Sequence, residues 1–218
     1  MIVQDFTSVN EDKVTQLENF LLIKFPNHVN SVPMSELGDA FRFLARGFQY
    51  PTELEFIQIG WEVIEKLSND LSITVPPNRP PQDLKELQAE YVRLFISSPL
   101  GVAAPPYASY YMNKSGLLLQ EGAQEALRFY REIGVEPENS SEAPDHISLE
   151  LAFIGMLLDQ NRVQLLNTFI EKHMMIWYPN FLKDLLKANP SYWYQQLGLV
   201  TQALLEKITR KEELDEAT

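Results

Sequence analysis

Three stretches of this chain have residue types and spacings that could bind a ligand or do chemistry. The first is Glu142-Ala143-Pro144-Asp145-His146, which leads directly into the apolar run Ile147-Ser148-Leu149-Glu150-Leu151-Ala152-Phe153-Ile154-Gly155-Met156-Leu157-Leu158. Aspartate beside histidine invites an acid–base reading, but adjacent residues at a helix start point in different directions, and a capping role alone accounts for Asp145. Taken together, the five residues close an acidic loop that also holds Glu136 and Glu138, a place where carboxylates can accept the planar fork of an arginine. The second stretch is Tyr91-Val92-Arg93-Leu94-Phe95, where Tyr91 and Phe95 lie one helical turn apart and can line a groove. The third is Pro105-Pro106-Tyr107, either a rigid turn with an aromatic lid or the start of a tyrosine-rich wall for a peptide.

Other chemistries lack their parts. The chain has no cysteine, so it offers no disulfide, thiolate nucleophile or cysteine-type zinc site. Its histidines are His28, His146 and His173, none at i, i+4 from another, so a histidine metal site would have to be assembled from distant segments. His173 falls on the apolar face of its helix, where a hydrogen-bonded core histidine is expected. Neither a G-x-S-x-G elbow nor a G-x-x-x-x-G-K-[ST] phosphate loop occurs. No catalytic residue, metal or cofactor is expected.

The elements that must position these stretches read as helices throughout. Proline excludes its predecessor from the α region and aspartate favours a cap, so 142–158 reads as loop, cap and buried central helix. Apolar residues at helical spacing predict helices over 10–25, 37–48, 54–68, 83–96 and 119–133, the last stopped by Gly134. They continue over 163–177, ended near Pro179, then a short helix over 181–186 ended by Asn189-Pro190, then 193–208. Prolines 76, 77, 80 and 81 predict an extended crossing, and 97–115 reads as a long irregular segment of the sort that more often carries function. No stretch alternates apolar and polar residues, so the expected class is all-α, a single compact domain of about eight to ten helices. The expected division is an accessory helix and linker at 1–34, a helical domain at 35–210 and a charged tail at 211–218.

With 218 residues and a net charge of −12, the chain is long enough for one substantial core and poorly suited to nucleic acid. That charge suits a basic partner or simple solubility. Phe20-Leu21-Leu22-Ile23 is too short for a signal core or a membrane span, so a soluble, cytoplasmic protein without stable membrane insertion is expected.

The order and spacing of three motifs resemble the TorD/DmsD family of redox-enzyme maturation chaperones, relatives of the NarJ type. They are Tyr91-x-x-Leu94-Phe95, Pro105-Pro106-Tyr107-x-Ser109-x-Tyr111 and Glu142-x-Pro144-Asp145-His146. Arg42-Phe43-Leu44-Ala45 with Tyr50-Pro51, and His173 with Trp177 and Pro179, extend the likeness over about 35–208. The resemblance implies an all-helical domain that binds a twin-arginine signal peptide and the cofactor-free catalytic subunit of a molybdopterin oxidoreductase of the DMSO/TMAO reductase family. Such binding assists cofactor insertion and holds the client back from export. It further implies that the twelve named residues of those three motifs form the client-binding site, in a monomer or a domain-swapped dimer. Ala108 departs from the pattern, since many members carry glutamate there. Two other classes stay open: a weak guanine-nucleotide binder, which the missing phosphate loop disfavours, and a generic helical adaptor, which would not select arginine over lysine.

Overall fold

The computed structural model describes residues 34–75, 77, 81–97, 99, 101–112, 121–135 and 142–215. The helix expected over 10–25 lies outside these residues. Nine α-helices follow in order among them: α1 (Met34–Gly47), α2 (Leu54–Asp70), α3 (Leu84–Tyr91), α4 (Ala108–Met112), α5 (Glu121–Glu132), α6 (Ile147–Asp159), α7 (Val163–Phe169), α8 (Met175–Lys187) and α9 (Tyr192–Asp215). The described residues contain no strand beyond one isolated bridge, between Tyr107 and His146. The class is all-α, as the sequence predicts.

The central element is α6. Ile147, Leu151, Ile154 and Leu157 are fully buried, and Phe153 and Leu158 nearly so, because no side of this helix is polar enough to face water. It packs along α1, where the two backbones approach closely: a Cβ placed on Gly155 would lie 3.0 Å from the Gly38 carbonyl oxygen. Arg42 of α1 pairs with Asp39 and with Asp159 at the far end of α6, closing this contact at the surface. On the other side, α9 packs on α8, α2 and α1, and its Trp193, Tyr194, Leu197 and Val200 are fully buried. Three helices end on a residue in the left-handed region: Ser72 (φ 58°), Asn161 (φ 52°) and Asn189 (φ 48°). Gly134, at φ 72°, follows α5 as expected.

Several local expectations need correction. Pro179 does not end a helix: it lies inside α8, and the predicted pair of helices over 163–177 and 181–186 is one continuous run through α7 and α8. The reason is a π-helical turn, Ile170–Met174, between them. Proline lacks the N–H that would reach back four residues, and its ring crowds that residue's carbonyl. Here the residue four back is Met175, whose ψ of −11° departs from the usual helical value of about −42° and turns its carbonyl aside. A second π turn, Val92–Ile96, completes the helix begun by α3, whose N-cap Asp83 accepts from the Lys85 N–H at 2.7 Å. The segment over 97–115 is not irregular throughout, since it contains α4. Finally α9 extends to Asp215, into the stretch expected as a tail.

Candidate functional site

The three motifs are brought to one end of α6. Two loops are pinned side by side there by backbone hydrogen bonds: the Ile147 N–H donates to Pro106 O (2.9 Å) and the Ala108 N–H to Asp145 O (3.1 Å). Across this bridge, the Tyr107 ring packs edge-on against His146 with centroids 5.0 Å apart. The Tyr107 hydroxyl donates to the Glu142 carboxylate at 2.6 Å, and both residues are half-buried at the surface. Burial and that carboxylate together hold the Tyr107 phenol well above its ordinary pKa.

Beneath this pair the polar residues are covered. Asp145 is fully buried, and its Oδ2 accepts from the Ser109 N–H at 2.7 Å. Asp145 therefore caps α4, 36 residues away in sequence, rather than α6. The N-cap of α6 is His146, whose Nδ1 accepts from the Ser148 N–H at 3.2 Å and lies 2.7 Å from the Ser148 hydroxyl. Burial pushes the His146 imidazole down to about 4, against the opposing pull of Glu142 and Asp145. The ring is neutral at physiological pH, and with Nδ1 accepting, its proton is on Nε2. Asp145 Oδ1 and Ser109 Oγ are both buried without a hydrogen-bond partner among the described residues. Pro144 contributes its carbonyl, which accepts from the Tyr130 hydroxyl at 2.8 Å.

The remaining predicted residues lie deeper. Tyr91, Leu94 and Phe95 are buried in the core. Tyr91 and Phe95 are 5.0 Å apart by centroid and pack with Tyr194, while Phe95 also stacks on Phe181. Tyr91 packs edge-on against Tyr50, an exposed ring 5.4 Å away, and Glu142 is near enough to help raise its pKa after burial. Leu94 holds the loop in place, its carbonyl accepting from the Ala104 N–H at 2.8 Å. Pro105 and Pro106 are buried, Ala108 fully so, and Tyr111 stacks on Trp177. Thus Pro106, Tyr107, Ser109, Glu142, Pro144, Asp145 and His146 form one corner, and the other five predicted residues form its backing.

Sequence reasoning missed two residues that hold this corner. Glu150, one turn after His146, is fully buried: its Oε1 lies 2.6 Å from His173 Nε2 and its Oε2 accepts from Trp177 Nε1–H at 3.0 Å. A carboxylate inside an otherwise apolar run, well before the helix's end at Asp159, was the available signal. His173 is the hydrogen-bonded core histidine expected, with Glu125 3.3 Å from its other nitrogen. The second is Gly122, over which α4 lies so closely that an added Cβ would be 2.6 Å from Ser109 N. Its signal, a glycine inside an amphipathic helix, is too common to interpret alone.

Among the described residues no helix is long and apolar enough to cross a membrane, and no cluster of three metal-ligating side chains occurs. Compared with known proteins, the chain is 34% identical over 108 residues to the chaperone protein TorD of Vibrio parahaemolyticus, covering 44% of this chain but only 50% of that relative's length. It is 27% identical over 148 residues to a "Probable Tat proofreading chaperone DmsD" of Haemophilus influenzae, covering 67% of this chain and 71% of the relative. A crystal structure from Archaeoglobus fulgidus, assigned as a redox enzyme maturation protein, superposes with a TM-score of 0.52 at 26% identity, covering 81% of this chain and 94% of that one. Residues 60–183 match the nitrate reductase delta subunit family, so the chain, which is similar to the TorD and DmsD chaperones, belongs to that family.

Proposed function

We propose that this chain is a cytoplasmic chaperone that binds the twin-arginine signal peptide and the cofactor-free catalytic subunit of a molybdopterin oxidoreductase, and retains that client until its cofactor is in place. Recognition is assigned to the helical domain over 35–210. The observation that carries the reading is the half-buried Tyr107–Glu142 pair at the mouth of the corner, an acceptor for guanidinium groups flanked by aromatic surface. Asp145 and His146, both covered, act beneath it by fixing the two loops. Exposed apolar side chains at Tyr50, Ile96 and Val102 offer contact for the apolar part of a signal. The DmsD relative is named for Tat proofreading and the Archaeoglobus fulgidus protein for redox-enzyme maturation, which supports an exported redox enzyme as the client.

The test is calorimetric titration of the full chain with a synthetic twin-arginine signal peptide. Glu142→Gln is expected to weaken binding about tenfold, equivalent to about 1.4 kcal/mol, while moving stability by less than about 0.5 kcal/mol. Replacing both arginines of the peptide with lysine is expected to weaken binding to the unaltered protein to a similar degree. Equal affinity for all three combinations would leave a generic adaptor as the better description.

A further inference from the structure

We propose that His173 is a positioning residue for the client-binding corner: carrying a proton on each ring nitrogen, it braces α5, α6 and the start of α8 together, and closing this brace raises the corner's affinity for a signal peptide. This role presupposes the signal-peptide reading of the corner and adds a control seated in the core beneath it. His173 is fully buried in the π turn that leads into α8. Its Nε2 lies 2.6 Å from Glu150 of α6, and its Nδ1 lies 3.3 Å from Glu125 of α5. A singly protonated imidazole can donate to one of these carboxylates, and a doubly protonated one to both. Phe169 stacks on the ring and Phe129 packs against its edge, which fixes its orientation between the two acceptors.

Each helix that meets at His173 also holds part of the corner. α6 starts at the His146 cap, one turn before Glu150. α5 carries Gly122, over which the Ser109 backbone lies, and Tyr130, whose hydroxyl donates to Pro144 O at 2.8 Å. α8 carries Trp177, whose Nε1–H donates to Glu150 and whose ring stacks on Tyr111 of α4, the helix that Asp145 caps. Opening either arm of the brace therefore loosens a support of the corner. The charges acting on His173 are the carboxylates of Glu150 and Glu125; Asp145 acts in turn on Glu150. Glu125 is half-buried and pairs with Arg128 at 3.2 Å, so it joins the brace to the surface. Tyr130, buried near Glu150 and Asp145, keeps its proton, and α7 has no titratable residue. Burial works against the second His173 proton, but the two carboxylates outweigh it and hold that proton more tightly than in an ordinary histidine. In the corner itself, His146 stays neutral and Tyr107 protonated near neutral pH, so neither supplies a competing titration there.

The test titrates the nitrogen-15-labelled full chain from about pH 5.5 to about pH 8, following the His173 ring nitrogens and the Ser109 amide. Calorimetry at a series of pH values across that range gives its affinity for an N-acetylated twin-arginine signal peptide. The Ser109 amide is expected to move with the His173 midpoint, and affinity to fall about fivefold as pH rises through it, the lower end of usual coupling between sites. Reciprocally, bound peptide is expected to raise the His173 midpoint. Glu125→Gln and Glu150→Gln each remove one charge that favours the doubly protonated ring, so each is expected to move the fall in affinity to lower pH. A merely structural role would lower affinity equally at every pH. The proposal is overturned by a Ser109 amide indifferent to the His173 titration, by a His173 that keeps one protonation state throughout, by equal affinity at both ends, or by an unmoved profile in both variants. A peptide that binds at neither end counts against the signal-peptide reading instead, and the Ser109 amide then decides the brace on its own.

Discussion

Gly122→Ala is expected to lower the stability of the protein by about 1–3 kcal/mol, the range for forcing a methyl group into a packed contact. The new Cβ would meet Ser109 N at 2.6 Å, Ser109 Cα at 2.9 Å and the Ala108 carbonyl carbon at 3.0 Å. All three are backbone atoms, so no side chain can rotate away, and α4 must move off α5. That movement pulls the Ser109 N–H from Asp145 and loosens the bridge that carries Tyr107. The proposed affinity for a signal peptide should therefore fall along with the melting temperature, which drops by roughly 2–4 °C per kcal/mol in a chain of this size. Denaturant titration beside the exposed neighbour Gln124→Ala checks the first part, and calorimetry the second. A Gly122→Ala protein with unchanged midpoint would mean that α4 is not held against α5 as described.

Glu150→Ala is expected to cost more, about 3–5 kcal/mol, because it strips a buried partner from two groups at once. The His173 imidazole and the Trp177 indole N–H would both lose their acceptor in a region without water access. Glu150→Gln retains an acceptor and should cost less. The network also predicts a pH dependence. Burial pushes the Glu150 carboxyl up to about 7, eased by His173 and Trp177 and aggravated by Asp145. Burial alone would lower His173, but Glu150 and Glu125 outweigh it and raise it above its ordinary value. Carboxylates face both ring nitrogens, and only a doubly protonated imidazole donates to both. The folded pair thus keeps a proton that the unfolded chain has released above pH 6.5, so its stabilisation declines as pH rises through the folded values, by at most about 1.4 kcal/mol per pH unit for one proton. His146, depressed to about 4, works in the opposite direction: its contribution grows between about pH 4 and 6.5 and is flat above. Stability measured from pH 6.5 to 8 should fall in the unaltered protein and fall less in Glu150→Gln. A parallel decline in both would assign it to other groups.

The helical class was legible because burial follows period. Phe41 and Leu44 of α1 with Phe48 just beyond it, or Ile57, Trp61 and Ile64 of α2, occur at the spacing that places them on one buried face. What escaped the sequence were features set by distant backbone. Asp145 looks like a cap for the helix that follows it, and is instead a cap for a helix 36 residues earlier, while the less favoured His146 takes the nearer role. The continuation of the helix through Pro179 depends on a π turn whose residues, Ile170–Met174, have no distinctive spacing. In the site, the pairing of the proline-tyrosine loop with the acidic loop followed only from resemblance. Nothing local indicates that Tyr107 and Glu142 share a hydrogen bond. Conversely, the reading of His173 as a core residue needed only its position on an apolar face.

The carboxylate of Asp145 has a consequence for the order of assembly. A helix of five residues has no independent stability in water, since nucleation costs more than so few backbone bonds return. α4 therefore depends on its packing against α5 and α8 and on the acceptor that the start of α6 presents. The loop carrying Tyr107 therefore orders together with the start of α6, and amide hydrogen exchange at Ser109 would report the opening of that contact.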